Sequence, residues 1–400
     1  MLSHTPAFTH FHRHITMQFN IFKNQICFNR NELSGSFGDI GTDLPLIIGM
    51  IVACKLDPAS SFIMFGVMQV LTGMLYGIPM PVQPLKAMAV LMIAQKLSGN
   101  LLYGAGLVIG LLMLFLTVTN ILQWVVKVIP KSVVRGIQFG LGLSLASLAL
   151  KDYLPSLGIN GYIIATIGFI IVILLIGNKK YPPALFVILL GIVYASFFSV
   201  NFTKLFSNMS IALPTMHLPK TNDMLNGFLL LAIPQIALSI SNSVIATKRT
   251  VSDLFPEKNF TVNKIGWTYS VMNIINPFFS GIPTCHGAGG LAGHYSFGGR
   301  TGGSVILYGS LFLIIGLFFS ASFGEFVNFF PKPILGIILL FEALSLMSFI
   351  KDITPSKKCL FVSFVVALIA LLIPYGYAIG LVTGILLDFL IKKESILKHF

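Results

Sequence analysis

Pro79-Met80-Pro81-Val82-Gln83-Pro84-Leu85-Lys86-Ala87 lies within a long apolar region, yet its three prolines in six residues forbid regular helix up to Pro84. Residues that precede proline are pushed towards extended backbone, and Pro84 is well placed to open a helix of its own. A second interrupted stretch follows in the other half of the chain: Pro283-Thr284-Cys285-His286-Gly287-Ala288-Gly289-Gly290-Leu291-Ala292-Gly293. Its glycines allow close backbone approach, and a short helix is expected from about Gly287. Both stretches are flanked by membrane-length apolar runs. Non-helical backbone at that depth survives only where it is buried in protein or lines a cavity.

The rest of the chain fits that setting. Of 400 residues, 55% are hydrophobic and 10% charged, with mean hydropathy +0.88. Soluble domains carry about 25% charge, so a water-soluble particle is excluded, as are a disordered chain, a coiled coil and a disulfide scaffold. Twelve clear apolar runs, from 44–54 to 376–391, join the two broken ones near 79–95 and 283–299. Basic residues decide whether the broken ones cross. With both crossing and the N-terminus cytoplasmic, 19 Lys and Arg lie inside and 6 outside; with both merely dipping in, the division is 15 and 11. The positive-inside rule favours fourteen crossings with both termini cytoplasmic. The net charge of +13 is thus mostly topology, and nucleic acid is disfavoured as a partner. Residues 1–30 read as an unstructured cytoplasmic tail rather than a metal site, despite His4, His10, His12 and His14.

The chain also repeats itself. Gly77-Ile78-Pro79 recurs as Gly281-Ile282-Pro283, Pro130-Lys131 as Pro331-Lys332, Ser144-Leu145-Ala146-Ser147 as Ser345-Leu346-Met347-Ser348, and Lys151-Asp152 as Lys351-Asp352, at offsets of 200–204 residues. The expected architecture is an all-α polytopic membrane protein of two repeats, 31–203 and 222–394, each of seven crossings. An odd number per repeat inverts the second copy. Inverted repeats with broken helices at matching positions point to a secondary transporter with its site at the repeat interface.

Two half-helix N-termini facing each other each present free N–H groups and roughly +0.5 of effective charge, which suits a compact oxyanion. Lys86, on the first turn of its half-helix, adds a full charge where burial is costly unless used. In Gly38-Asp39-Ile40-Gly41-Thr42-Asp43, a helix would put Asp39 and Asp43 on one face, as candidate carriers of a coupling proton or counter-ions for Lys86. Gln235, Ser239, Ser241, Asn242 and Ser243 supply neutral donors to an anion or to neighbouring helices. Glu342 and Asp388 read as structural or gating residues. The glycine run 287–293 lacks the spacing and βαβ setting of a dinucleotide fingerprint, and Cys285-His286 with His294 lacks the ligands of a metal cluster. With no nucleophile–base motif either, neither an enzyme nor a cofactor is expected.

The segments Gly38–Thr42, Pro79–Ala87 and Cys285–Gly293 resemble signatures of the molybdate transporter family, a plant, algal and bacterial branch of the sulfate permease superfamily. The resemblance covers about 31–394. It implies a core from about 31–128 and 222–324 moving against a gate from about 129–203 and 325–394. It also implies a tetrahedral dianion held between the third and tenth segments, with proton coupling. The candidate substrate-binding residues are Gln83, Pro84, Lys86, Asn242, Cys285, His286, Gly287, Ala288 and Gly289, and the candidate coupling residues are Asp39 and Asp43. Asp43 stands where the family pattern suggests an uncharged residue, and Leu85 replaces a common Met. The end of the chain at Phe400 is read as lacking a C-terminal regulatory domain, in keeping with the molybdate branch. The expected function is secondary-active transport of molybdate or sulfate, with the lipid bilayer and a proton as partners and a homodimer as an open option. A nucleobase permease of similar architecture and a passive anion channel are the competing readings.

Overall fold

The computed structural model of the protein describes residues 17–21, 24–122, 129–175, 178, 181 and 183–392. The chain opens with a hairpin, β1 (Met17–Ile21) and β2 (Asn24–Phe28), and continues through α1 (Arg30–Ser36), α2 (Ile40–Cys54) and α3 (Pro58–Tyr76). The first interrupted stretch forms β3 (Gln83–Pro84) and α4 (Lys86–Gln95), followed by α5 (Gly99–Val118), α6 (Lys131–Leu148), α7 (Gly158–Leu175) and α8 (Pro183–Phe198). A long helical run with π-type turns, α9 (Thr221–Leu254), leads to α10 (Val262–Ile275). Then come β4 (Thr284–Cys285) and α11 (Ala288–Ser296), with α12 (Gly303–Phe318), α13 (Lys332–Ser348), α14 (Lys357–Leu372) and α15 (Gly376–Lys392) closing the chain.

Packing gathers these helices into two groups. One joins α3 to α12 and α5 to α9 and α10; the other joins α6 to α13 and α14, α7 to α13, and α14 to α15. The groups meet where α4 packs on α6 and α2 on α13. Close approach in the first group depends on absent side chains: a Cβ on Gly66 would lie 2.7 Å from the Gly309 carbonyl oxygen. Large apolar side chains on the periphery, among them Leu174, Phe197, Phe198 and Leu372, are three-quarters exposed or more. Water would not tolerate such a belt, and a bilayer requires one.

By length and composition, five helical stretches among the described residues qualify as membrane spans, or six with α1 and α2 taken as one span bent by 43°. That is fewer than fourteen because several helices are short: α8, α12 and α14 have 16 residues each. One qualifying stretch, Lys131–Leu175, runs for 45 residues. Straight, it would be about twice the thickness of a bilayer core. It turns instead at Gly158, whose φ of +57° is a left-handed conformation open to glycine.

The N-terminal region differs from the expected unstructured tail. β1 and β2 pair antiparallel, the Asn24 amide donates to the carbonyl of Met74 at the end of α3, and Cys27 N–H donates to the Thr301 hydroxyl. His4, His10, His12 and His14 lie outside the described residues. Behind the hairpin, the buried Glu32 carboxylate accepts from the backbone N–H groups of Arg300 (3.0 Å), Thr301 (2.9 Å) and Ser304 (3.0 Å), tying α1 to the start of α12. Glu32→Ala would orphan these donors. The expected loss is roughly 2–4 kcal/mol, read as a melting temperature several degrees lower in detergent.

Candidate functional site

The two interrupted stretches meet. β3 and β4 pair antiparallel, Gln83 opposite Cys285 and Pro84 opposite Thr284, and Leu85 N–H donates to the Pro283 carbonyl at 3.1 Å. Pro84 is therefore part of a strand, and α4 begins two residues later than expected, because Leu85 spends its N–H across the pair. The remaining polar backbone is held by side chains of the preceding helices. The Gln69 amide donates to the Val82 carbonyl (2.7 Å) and accepts from Val82 N–H (3.0 Å). Asn273 repeats this on Thr284, at 2.6 and 2.9 Å, and Asn276 donates to the Ile282 carbonyl at 2.8 Å. Buried backbone that is neither helix nor extended sheet needs such partners.

α4 and α11 start at Leu85 and Gly287 caps, neither with a side-chain capping bond. Of the N–H groups thus exposed, Ala87 N–H is taken by the side-chain Oε1 of Gln235 at 2.9 Å, so Gln235 caps α4 from another helix. Beside these ends lies a cavity of about 270 Å³. Asp39, Gln83, Lys86, Asn242, Cys285 and Gly289 line it, all anticipated from sequence. Gln138, Glu342 and Ser345 line it from α6 and α13.

Asp39 is the non-helical cap of α2, with φ −122° and ψ 2°, and its backbone carbonyl accepts from Asp43 N–H, one turn on, at 3.1 Å. Its carboxylate accepts from the Gln83 amide at 2.6 Å. It also lies against α11, where a Cβ on Gly290 would fall 2.1 Å from Asp39 Oδ2. Asp43 is wholly buried and off the cavity lining, with one oxygen accepting from the Tyr308 hydroxyl at 3.2 Å. Lys86 Nζ is 2.6 Å from Glu342 Oε1, so the counter-ion in contact with Lys86 is neither aspartate but the acid read as structural or gating. Asp388 pairs with Lys392 and accepts from the Ser132 hydroxyl.

Four of the substrate-binding candidates do not line the cavity either: Pro84 in β3, Gly287 and Ala288 at the start of α11, and His286. The His286 ring is fully buried, with Nε2 2.7 Å from the Thr268 hydroxyl and Nδ1 3.0 Å from the Pro81 carbonyl. Gly287 lies under Gln83, where a Cβ would fall 1.6 Å from the side-chain Oε1 of Gln83. Gln138 and Ser345 were missed by sequence reasoning. Their signal was a lone amide in an apolar helix and a serine in a repeated Ser-x-x-Ser segment.

The chain is similar to known proteins in sequence and in fold. The family described as "Molybdate transporter of MFS superfamily" matches residues 31–145 and 227–346. Molybdate transporter 1 of Arabidopsis thaliana is 32% identical over 93% of this chain and 91% of its own length. Molybdate transporter 2 of the same plant is 33% identical over 92% and 88%. Molybdate transporter 1 of Chlamydomonas reinhardtii is 24% identical over 80% of this chain and 84% of its own. In fold, the chain is similar to the transmembrane domain of the cyanobacterial bicarbonate transporter BicA, with TM-score 0.65 and 14% identity over 90% of this chain and 96% of that one. It is also similar to the murine anion transporter Slc26a9 in its inward-facing state, with TM-score 0.68 and 14% identity over 91% and 68%. The half-helices are thus set in a fold of the BicA and Slc26a9 type, although the family description names the MFS superfamily. On two near-full-length relatives above 30% identity and a family match over most of its length, the chain belongs to the molybdate transporter family: it is an integral membrane transporter and not an enzyme.

Proposed function

We propose that the protein moves a tetrahedral oxyanion across the membrane by secondary-active, alternating access, with molybdate ahead of sulfate. The observation that carries this reading is the convergence of two half-helix N-termini and Lys86 on one cavity where the two helix groups meet. Backbone N–H groups and helix dipoles offer an anion a preorganised seat without excess ionised side chains. The names of the plant and algal relatives support molybdate within that class.

In this reading the helix groups are a core (about 31–128 and 222–324) and a gate (about 129–203 and 325–394), built from two inverted repeats of seven crossings with cytoplasmic termini. Gln69 and Asn273 stand 204 residues apart, the offset of Gly77 and Gly281, and perform the same backbone-holding task, which supports the repeat. Asn242, Gln83, Cys285 and Gly289 would surround the anion, with Pro84, His286, Gly287 and Ala288 shaping the wall behind them. Asp39 and Asp43 would influence a coupling proton through their charge, from the start of α2.

Uptake of labelled molybdate in cells lacking their own transporter tests this. Saturable uptake, driven by an inward proton gradient and competed by tungstate and sulfate, is expected. Competition by uracil but not tungstate would replace the oxyanion with a nucleobase. Non-saturable flux would indicate a channel.

A further inference from the structure

The charges around the cavity do not suit a dianion as they stand. Among the described residues lining it, Lys86 is the single cation, while Asp39 and Glu342 are both acids. Fully ionised, the lining carries net −1, and a dianion would meet repulsion in a partly dehydrated space. The ammonium group an anion needs is already bound, at 2.6 Å, by a carboxylate from the opposite helix group. Asp39 is otherwise engaged: Gln83 holds its carboxylate against α11.

Glu342 is placed differently. It rises from α13, faces the 270 Å³ cavity and also lines an adjoining one of about 220 Å³ that reaches between α2 and α8. Lys86 faces it from α4, and Asp39 and Asp43 act on it electrostatically from the start of α2. From α6, Gln138 is uncharged, while Arg135 is taken up by Asp352 and Gln138.

We propose that Glu342 is an internal stand-in for the substrate: its carboxylate occupies Lys86 in the empty transporter, and it yields Lys86 to the oxyanion on taking up a proton. The proton adds to a Glu342 oxygen from the side to which the cavity is open. Lys86 stays an ammonium throughout and turns its N–H groups from Glu342 to the dianion. Release reverses both events, and the proton leaves with the anion. Lys86 is then neutralised in the empty protein by Glu342 and in the loaded protein by the substrate. A proton without the anion would leave Lys86 with no counter-ion, and the anion without a proton would set a dianion against the Glu342 carboxylate with one ammonium between them. This couples proton to anion through an ion pair that bridges the two moving groups, and it rests on the oxyanion-transport reading above.

The test uses the full chain in liposomes with labelled molybdate at about pH 5.5 and about pH 7.5, two values far enough apart for a one-proton linkage to show. For the wild type, the apparent KM should rise by up to about tenfold per pH unit, as linkage to one proton requires. Glu342→Gln should hold a low KM that differs by less than about twofold between the two pH values. It should also exchange molybdate for molybdate yet fail to concentrate it under a proton gradient. A wild-type pH profile in Glu342→Gln, or gradient-driven accumulation by it, overturns the proposal. A second measurement needs no variant: molybdate should raise the melting temperature of the detergent-solubilised wild type more at the acidic pH. An equal rise at both overturns the proposal while leaving oxyanion binding intact. No uptake and no rise at either pH overturns the transport reading together with it.

Discussion

Lys86→Ala is expected to bring molybdate uptake down to background while the protein still reaches the membrane in normal amount. The substitution removes the cavity's cation and leaves the Glu342 carboxylate, 2.6 Å from the lost ammonium, facing an incoming dianion. One charge-assisted hydrogen bond is worth about 1.5–3 kcal/mol, or roughly 10- to 100-fold in affinity. Repulsion from an uncompensated carboxylate deepens the loss. Folding should suffer less, because the Lys86 side chain is 25% exposed and Glu342 14%, so water in the cavity can serve the orphaned acid. Uptake, surface abundance and gel-filtration profile, measured together, separate the two effects. Wild-type uptake would reduce Lys86 to a structural ion-pair partner.

The second large effect is expected from a single added methyl group. A Cβ on Gly290 would lie 2.1 Å from Asp39 Oδ2 and 2.9 Å from Gln83 Nε2, within the contact that joins these two buried side chains. Gly290→Ala should therefore break the Asp39–Gln83 bond and displace Gln83 from the cavity wall. Overpacking costs about 1–3 kcal/mol. Transport should fall by roughly tenfold or more, because a hydrogen bond to a charged group is worth about 1.5–3 kcal/mol. Gly289→Ala is the comparison, since nothing lies within 4 Å of its added Cβ. That variant should melt with the wild type and show only a raised KM, because its methyl group projects into the anion's space. Wild-type transport by Gly290→Ala would show that the Asp39–Gln83 contact plays no part in function.

The membrane class, the two broken segments and the half-helix after each were legible because proline, glycine and hydropathy act locally. Pro79, Pro81 and Pro84 exclude helix whatever surrounds them, and Gly287 caps a helix where the glycine run suggested one. The site was legible in part. Asp39, Gln83, Lys86 and Cys285 stood out as polar or unusual residues at the breaks, and the cavity gathers them. What could not be read were contacts between segments far apart in the chain. Nothing local links Lys86 to Glu342 256 residues later, or His286 to the Pro81 carbonyl 205 residues earlier. The N-terminal hairpin was hidden for the same reason, since its anchors, Met74 and Thr301, belong to the packed helices.

The β3–β4 pair also bears on how the molecule is made. Leu85 finds its hydrogen-bond acceptor, the Pro283 carbonyl, in a segment synthesised some two hundred residues later. The other side of that extended backbone is secured from within the first half, by Gln69 and Thr72. The amide clamp, by contrast, is complete within the first half, since Gln69 holds both polar groups of Val82. The strand pair, and with it the cavity wall that carries Gln83 and Cys285, therefore exists only when both halves of the chain are in place.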